Sequence, residues 1–255
     1  MKKKIIFNVP KFDKDDLKNI NNLISLKHYS GNGYFTNKCN KWLVKNLKCK
    51  ESLLVHSCTA ALEISAILLN IKAGDEIIMP SYTFVSTANA FVLRGAKIVF
   101  IDVDKKTLNI NPKLIEKKIT KKTKAIVIVH YAGVSCEMEK IKKITKKNRI
   151  ILIEDAAQAL LSKYKGKPLG SFGDLATISF HETKNIHCGE GGALLINNKK
   201  FIRRAKIIKD KGTNRDDFNK KIVKKYTWVD LGSSYSLSEI NAAFLYSQLK
   251  KAKEI

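Results

Sequence analysis

The chain has 255 residues, 44% of them hydrophobic, with only 4 prolines and 13 glycines, which excludes a disordered or collagen-like chain and fits one large globular domain. Its 48 lysines and arginines outweigh 23 carboxylates, for a formal net charge of +25. Five scattered cysteines without CxxC or Cys/His spacing exclude a zinc site and a disulfide framework, and fit a reduced, cytoplasmic protein.

In chain order, the opening MKKKIIFNVP carries a basic head, but Asn8 and Pro10 break its apolar stretch before it reaches signal or membrane-span length, so neither export nor insertion is expected. Short β-branched runs then alternate with helical patterns. A strand at 53–55 precedes a helix over 59–70, and a strand at 76–79 precedes one over 85–95. Strands at 97–103 and 125–130 lead to helical segments over 111–119 and 137–148, and three strands follow at 150–155, 176–180 and 193–196. The last segment, SLSEINAAFLYSQLKKAKEI, reads as a helix running to the C-terminus. Most strands are apolar throughout, so both sheet faces should be covered: an α/β fold around a mainly parallel sheet flanked by helices. No repeat or Gly/Ser hinge divides it.

The lysines recur in KKKII, IEKKITKKTK, KIKKITKKN and NKKFIRRAK at spacings of solvated helix faces and form no single tract. Arginine, the better reader of base edges, is scarce. We therefore read the charge as a lysine surface that attracts anionic substrates and binds nucleic acid only weakly, without specificity. A basic nucleic-acid-binding protein is the least favoured of the functional alternatives.

In parallel sheets ligands sit beyond the carboxyl ends of the strands. Four loops there carry chemistry. In HSCTAALEI a helix begins near Thr59, where free amides can hold a phosphate, or where Ser and Thr are plain caps. In IILIEDAAQA, Asp155 closes a strand ahead of Gln158, as a partner for a protonated ring nitrogen or as a helix cap. SFHETKN combines Ser179, a phosphate ligand, with Lys184, a candidate amine nucleophile in a partly desolvated pocket. In MPSYTFVSTANA, Phe84 is a stacking face or a core ring. Together they supply the groups that pyridoxal 5'-phosphate requires.

The stretches SCTAALE, GDEIIMPSYTFVSTANAFVLRGAKIVF, HYAGVSCEM, EDAAQA, SFHETKN, GEGGA, KGTNR and YTWVDLGSSY resemble the nucleotide-sugar aminotransferases of the DegT/StrS type, from the N-terminus to about Ile255. The resemblance implies the pyridoxal-phosphate-dependent transferase fold type I, like aspartate aminotransferase, with residues 1–255 as the large domain and its N-terminal segment. It makes Lys184 the Schiff-base lysine, Asp155 the ring-nitrogen partner and Gln158 a neighbour of the ring hydroxyl. It puts Phe84 on the ring face and Thr59, Ala60 and Ser179 around the phosphate. His181 and Glu182 flank the lysine and help shape the substrate site. Arg215 in KGTNR is a candidate for the sugar nucleotide's phosphates, with a surface arginine as the alternative.

The implied reaction moves an amino group from L-glutamate to a dTDP-4-keto-6-deoxy sugar, giving dTDP-4-amino-4,6-dideoxygalactose and 2-oxoglutarate, as in enterobacterial common antigen biosynthesis. The lysine of SFHETKN separates the chain from sugar dehydratases of the same fold, which resemblance expects to carry histidine there. Relatives are homodimers and continue into a small C-terminal domain largely absent from these 255 residues. That absence makes a catalytically inactive remnant the alternative to an enzyme, and is expected to leave apolar surface along the last helix.

Overall fold

The structure is a computed structural model that describes residues 5, 6 and 8–255; the basic head at 1–4 lies outside them. Two helices open it, α1 (Lys14–Leu26) and α2 (Tyr34–Leu47). Asp13 and Asp16 close a capping box on α1. α2 starts at Gly33, which has no side chain to cap it, and a distant carboxylate does so instead: Glu239 accepts the amides of Gly33, Phe35 and Thr36. This buried contact ties the N-terminal segment to the last helix, α9 (Glu239–Lys250).

The seven expected strands are present as β1 (Glu51–Val55), β2 (Glu76–Pro80), β3 (Lys97–Ile101), β4 (Thr123–Val129), β5 (Ile151–Asp155), β8 (Leu175–Ser179) and β9 (Gly192–Ile196). They form one sheet in the order β1-β9-β8-β5-β4-β2-β3. Only β9 runs against its neighbours, so the sheet is mainly parallel. A two-stranded hairpin, β6 (Lys163–Tyr164) and β7 (Lys167–Pro168), went unanticipated.

The continuous apolar runs are explained by helices on both faces. On one face Ala125, Val127 and Ile153 pack with α3 (Cys58–Leu68), α4 (Val85–Val92) and α7 (Ile202–Lys209). On the other, Ile126, Ile128 and Leu152 pack with α6 (Met138–Asn148) and the single turn α5 (Pro112–Ile115). Farther along that second face, Leu54, Ile178 and Leu195 meet α2 and α9. β3 departs from the expectation, since as an edge strand it leaves Lys97 and Phe100 exposed.

The four expected interior helical segments are present as α3 to α6, whereas α1, α2, α7 and the short α8 (Arg215–Asn219) were not anticipated. The last helix stops at Lys250, short of the C-terminus, and the apolar surface expected along it is mostly covered, with Ile240 left exposed. Ala242, Ala243, Leu245 and Leu249 are buried with residues of α1 and α2, because the opening helices fold back over α9.

Candidate functional site

A cavity of about 490 Å³ opens at the carboxyl ends of β2, β4, β5 and β8, where the loops into α3, α4 and the SFHETKN segment converge. Thr59, Phe84, Asp155, Gln158, Ser179, His181 and Lys184, far apart in sequence, all line it.

The start of α3 forms one wall. Ser57 caps the helix, its Oγ accepting the Ala60 amide at 3.0 Å. The first amides of a helix lack intrahelical acceptors, so those of Cys58 and Thr59 are left for a ligand at the positive end of the helix dipole. The helix reaches the sheet because β9 begins with Gly192: a Cβ there would come within 2.3–2.5 Å of the Ser57 and Cys58 backbone. The expected place of Ala60 changes accordingly. It is buried, it does not line the cavity, and its amide is already spent on the cap. Burial, then the nearby charge of Asp155, pushes the Cys58 thiol well above its ordinary value, so it is no nucleophile at neutral pH.

Asp155 ends β5 and is 5% exposed. Its Oδ2 accepts from Thr87 Oγ1 at 2.7 Å and its Oδ1 from the Ala157 amide at 3.2 Å. Burial raises its pKa, and these two donors do not cancel the shift. Lys184 is half-buried on the same cavity, close enough that its charge works against that rise. Its backbone amide donates to the His181 carbonyl at 2.9 Å, which curls the loop and keeps both residues on the cavity wall.

His181 Nδ1 accepts from the Thr183 amide at 3.2 Å, so its ring proton sits on Nε2, 3.5 Å from Glu190. Gln158 Oε1 accepts the Ala132 amide at 2.6 Å, leaving its amide N–H groups for a ligand. Phe84, 72% exposed, precedes α4 and presents a bare ring to the cavity.

Two expected residues lie elsewhere. Glu182 is exposed and absent from the lining; it is held through its backbone, the amide donating to the Gly189 carbonyl and the carbonyl accepting from Asn8. Arg215 lines a separate cleft between α2 and α7, its guanidinium 3.8 Å from Asp210, because α8 carries it away from this cavity within the chain.

Other cavity residues escaped the sequence reading, among them Thr87, His130 and a Tyr82–Tyr131 pair whose hydroxyls are 2.8 Å apart. His130 Nδ1 accepts the Cys136 amide, so Nε2 carries the proton and donates to Glu154 at 3.0 Å. Thr87 sits one helical turn beyond Thr83, whose hydroxyl donates to it, a polar pair on the turn entering α4 that could have been read as more than a cap.

A family model described as the DegT/DnrJ/EryC1/StrS aminotransferase family matches residues 10–255. A protein of Methanocaldococcus jannaschii, itself uncharacterized, is 44% identical over 208 residues, covering 80% of this chain and 54% of that one. Among solved structures, PseC of Helicobacter pylori, an aminotransferase involved in the biosynthesis of pseudoaminic acid, is 32% identical with a TM-score of 0.88, over 99% of this chain and 67% of that one. The putative sugar aminotransferase Spr1654 of Streptococcus pneumoniae is 25% identical, over 98% of this chain, with TM-scores of 0.88 in its PLP form and 0.90 in its PMP form. The chain thus spans about half the length of the curated relative and about two thirds of these solved chains. The fold is that of the fold type I PLP-dependent aminotransferases, and the PLP and PMP forms support pyridoxal phosphate as the cofactor. No helix of the described residues is long and apolar enough to cross a membrane. By the match over residues 10–255, the chain belongs to the DegT/DnrJ/EryC1/StrS aminotransferase family.

Proposed function

We propose that residues 1–255 are the cofactor-binding large domain, with its N-terminal segment, of an enzyme that transfers the amino group of L-glutamate to a dTDP-4-keto-6-deoxy sugar. The products are dTDP-4-amino-4,6-dideoxygalactose, the amino sugar nucleotide of enterobacterial common antigen, and 2-oxoglutarate. The observation that carries the transamination is the meeting of Lys184, Asp155 and the open end of α3 in one cavity. Family membership supports the reaction class; the run of motifs from SCTAALE to YTWVDLGSSY supports the choice of sugar.

The donor set fits pyridoxal phosphate. The amides of Cys58 and Thr59, with the hydroxyls of Thr59 and Ser179, would take its phosphate. Asp155 would meet the ring nitrogen, Gln158 the ring hydroxyl and Phe84 the ring face, with Lys184 holding the aldehyde carbon. When bound, the cofactor supplies an electron sink that lets the α-carbon of an amino donor release its proton. Lys184 Nζ is the group to take that proton and return it. The raised pKa of Asp155 suits its part, because a cation beside it draws it back to the carboxylate form while it favours protonation of the ring nitrogen. Thr87 and Ala157 hold both its oxygens in place for that meeting. His181, with its proton directed at Glu190, stands where a sugar would enter beside Lys184.

The working form in this proposal is a homodimer. The bare apolar side chains of Val85 and Val92 on α4 and of Leu93 just after it support a covering partner beside the cavity.

The test is the visible absorption spectrum of the chain with pyridoxal phosphate, beside Lys184→Ala, before and after glutamate and then the keto sugar nucleotide. The expected result is a band that needs Lys184, bleaches with glutamate and returns with the sugar, with the C4 configuration of the product read by NMR. A band unaffected by Lys184→Ala sinks the site assignment. One that glutamate leaves unchanged marks a chain that holds the cofactor without turnover, and one that bleaches but does not return refutes the sugar.

A further inference from the structure

The cations that form no tract in the sequence do converge in space. An open groove of about 1120 Å³ crosses the sheet end opposite the cavity and is lined by nine cationic side chains, among them Lys142 and Lys146 on α6, Arg149 just after it, Lys167 on β7, and Lys199 and Lys200 after β9. Leu152 and Asp174, at the starts of β5 and β8, line this groove, whereas Asp155 and Ser179, at the far ends of those strands, line the cavity. The two are three residues apart along β5 and five along β8, roughly 10 to 16 Å, so a partner in the groove leaves the cavity open.

This charge is unneutralised. Elsewhere lysines pair, as Lys147 with Glu116, Lys165 with Glu139 and Lys206 with Glu51, but among the described residues none of the nine forms an ion pair. The one carboxylate of the lining, Asp174, is engaged by the Leu152 amide and by Asn198 Nδ2. Lys167 has a lowered pKa, first through burial and then through the charge of Lys142, which shows the cations crowding one another.

The lining also discriminates among polyanions. Only Arg149 offers a guanidinium fork, so base edges are poorly read. Phe172, the one aromatic ring of the lining, is half-buried with Lys167 Nζ 4.5 Å above its ring, so a base stacking on that face would have to displace the lysine. No large exposed apolar side chain belongs to the lining, as a surface lying on a membrane requires. Lysine point charges in a concave polar groove suit carboxylates. We propose that this groove docks an acidic segment of a partner protein, a run of Asp and Glu side chains.

The test is anisotropy titration of a labelled oligoglutamate peptide against three proteins: the wild-type chain, a groove variant (K142Q/K146Q/R149Q/K200Q), and a control (K105Q/K106Q/K117Q/K118Q) that removes the same charge from exposed positions elsewhere. The groove variant is expected to bind about tenfold more weakly or worse, with a shallower salt dependence, and the control within about twofold of wild type. Equal weakening in both variants would show that only the diffuse charge binds. Tighter binding of single-stranded RNA or phosphatidylserine vesicles than of the peptide, at the same salt, would overturn the assignment of the partner.

Discussion

Glu154 and Asp155 are neighbours at the end of β5, so the strand's period of two sends one carboxylate to each side of the sheet, and the two sides treat it differently. On one side Glu154 is saturated: His130 Nε2 and the Gly170 amide donate to Oε2, and the amides of Phe172 and Gly173 to Oε1. Burial works to raise its pKa, but His130 and these amides outweigh it and hold the carboxyl below its ordinary value. On the cavity side Asp155 has two donors, and burial wins. A saturated carboxylate pins chain: Glu154 anchors the 170–173 loop that feeds β8 and hence Ser179 and His181. An under-saturated one keeps its capacity for a further donor or cation in the cavity.

Glu154→Gln should give the largest effect. An amide donor cannot accept from all these groups, and breaking so buried a network costs about 3–5 kcal/mol. Urea unfolding measures it, and a loss below about 1 kcal/mol would break the contrast. Next comes Thr87→Val, which leaves Asp155 with one donor; a loss of about 1–2 kcal/mol is expected in the same assay, together with weaker retention of pyridoxal phosphate. Asp155→Asn should act in the opposite direction on the cofactor-free chain, raising its melting temperature at neutral pH while lowering cofactor affinity, since it removes a buried charge that only the ligand satisfies.

The smallest and sharpest test is pH. Glu154, with its lowered pKa, contributes stability that is present above the ordinary carboxylate value near 4 and lost as pH falls through the folded value. Asp155, with its raised pKa, contributes stability that is present below that value and lost as pH rises through the folded one. The differences of Glu154→Gln and Asp155→Asn from wild type should therefore have opposite signs at pH 7, and both should shrink on acidification. Differences of the same sign would erase the distinction.

Much of the site was legible because strand ends announce themselves. An apolar run that stops at Asp155, or a lysine set among small residues after ATISF, marks a loop at the carboxyl edge, and seven of the ten expected residues share the cavity. Ala60 stays off the cavity because a cap consumes its amide through a geometry that composition does not show. Glu182 and Arg215 lie off this cavity because proximity in a motif does not set the direction of a side chain. α2 carries a readable period, Phe35, Cys39, Leu43 and Leu47 at steps of four, all buried, yet its lysines and asparagines obscured it.

By itself the sequence determined the alternation of strands and helices, the coverage of both sheet faces and the chemistry available at the loop ends, because these follow from local period and residue type. Only the tertiary structure decided which groups meet. It reversed β9, brought Thr87 from α4 onto Asp155, and capped α2 with a carboxylate from α9. It also gathered lysines from distant segments into one groove. Hydrogen bonds and charges act over a few ångströms of space whatever the separation along the chain, so these pairings exist only once the sheet order is set.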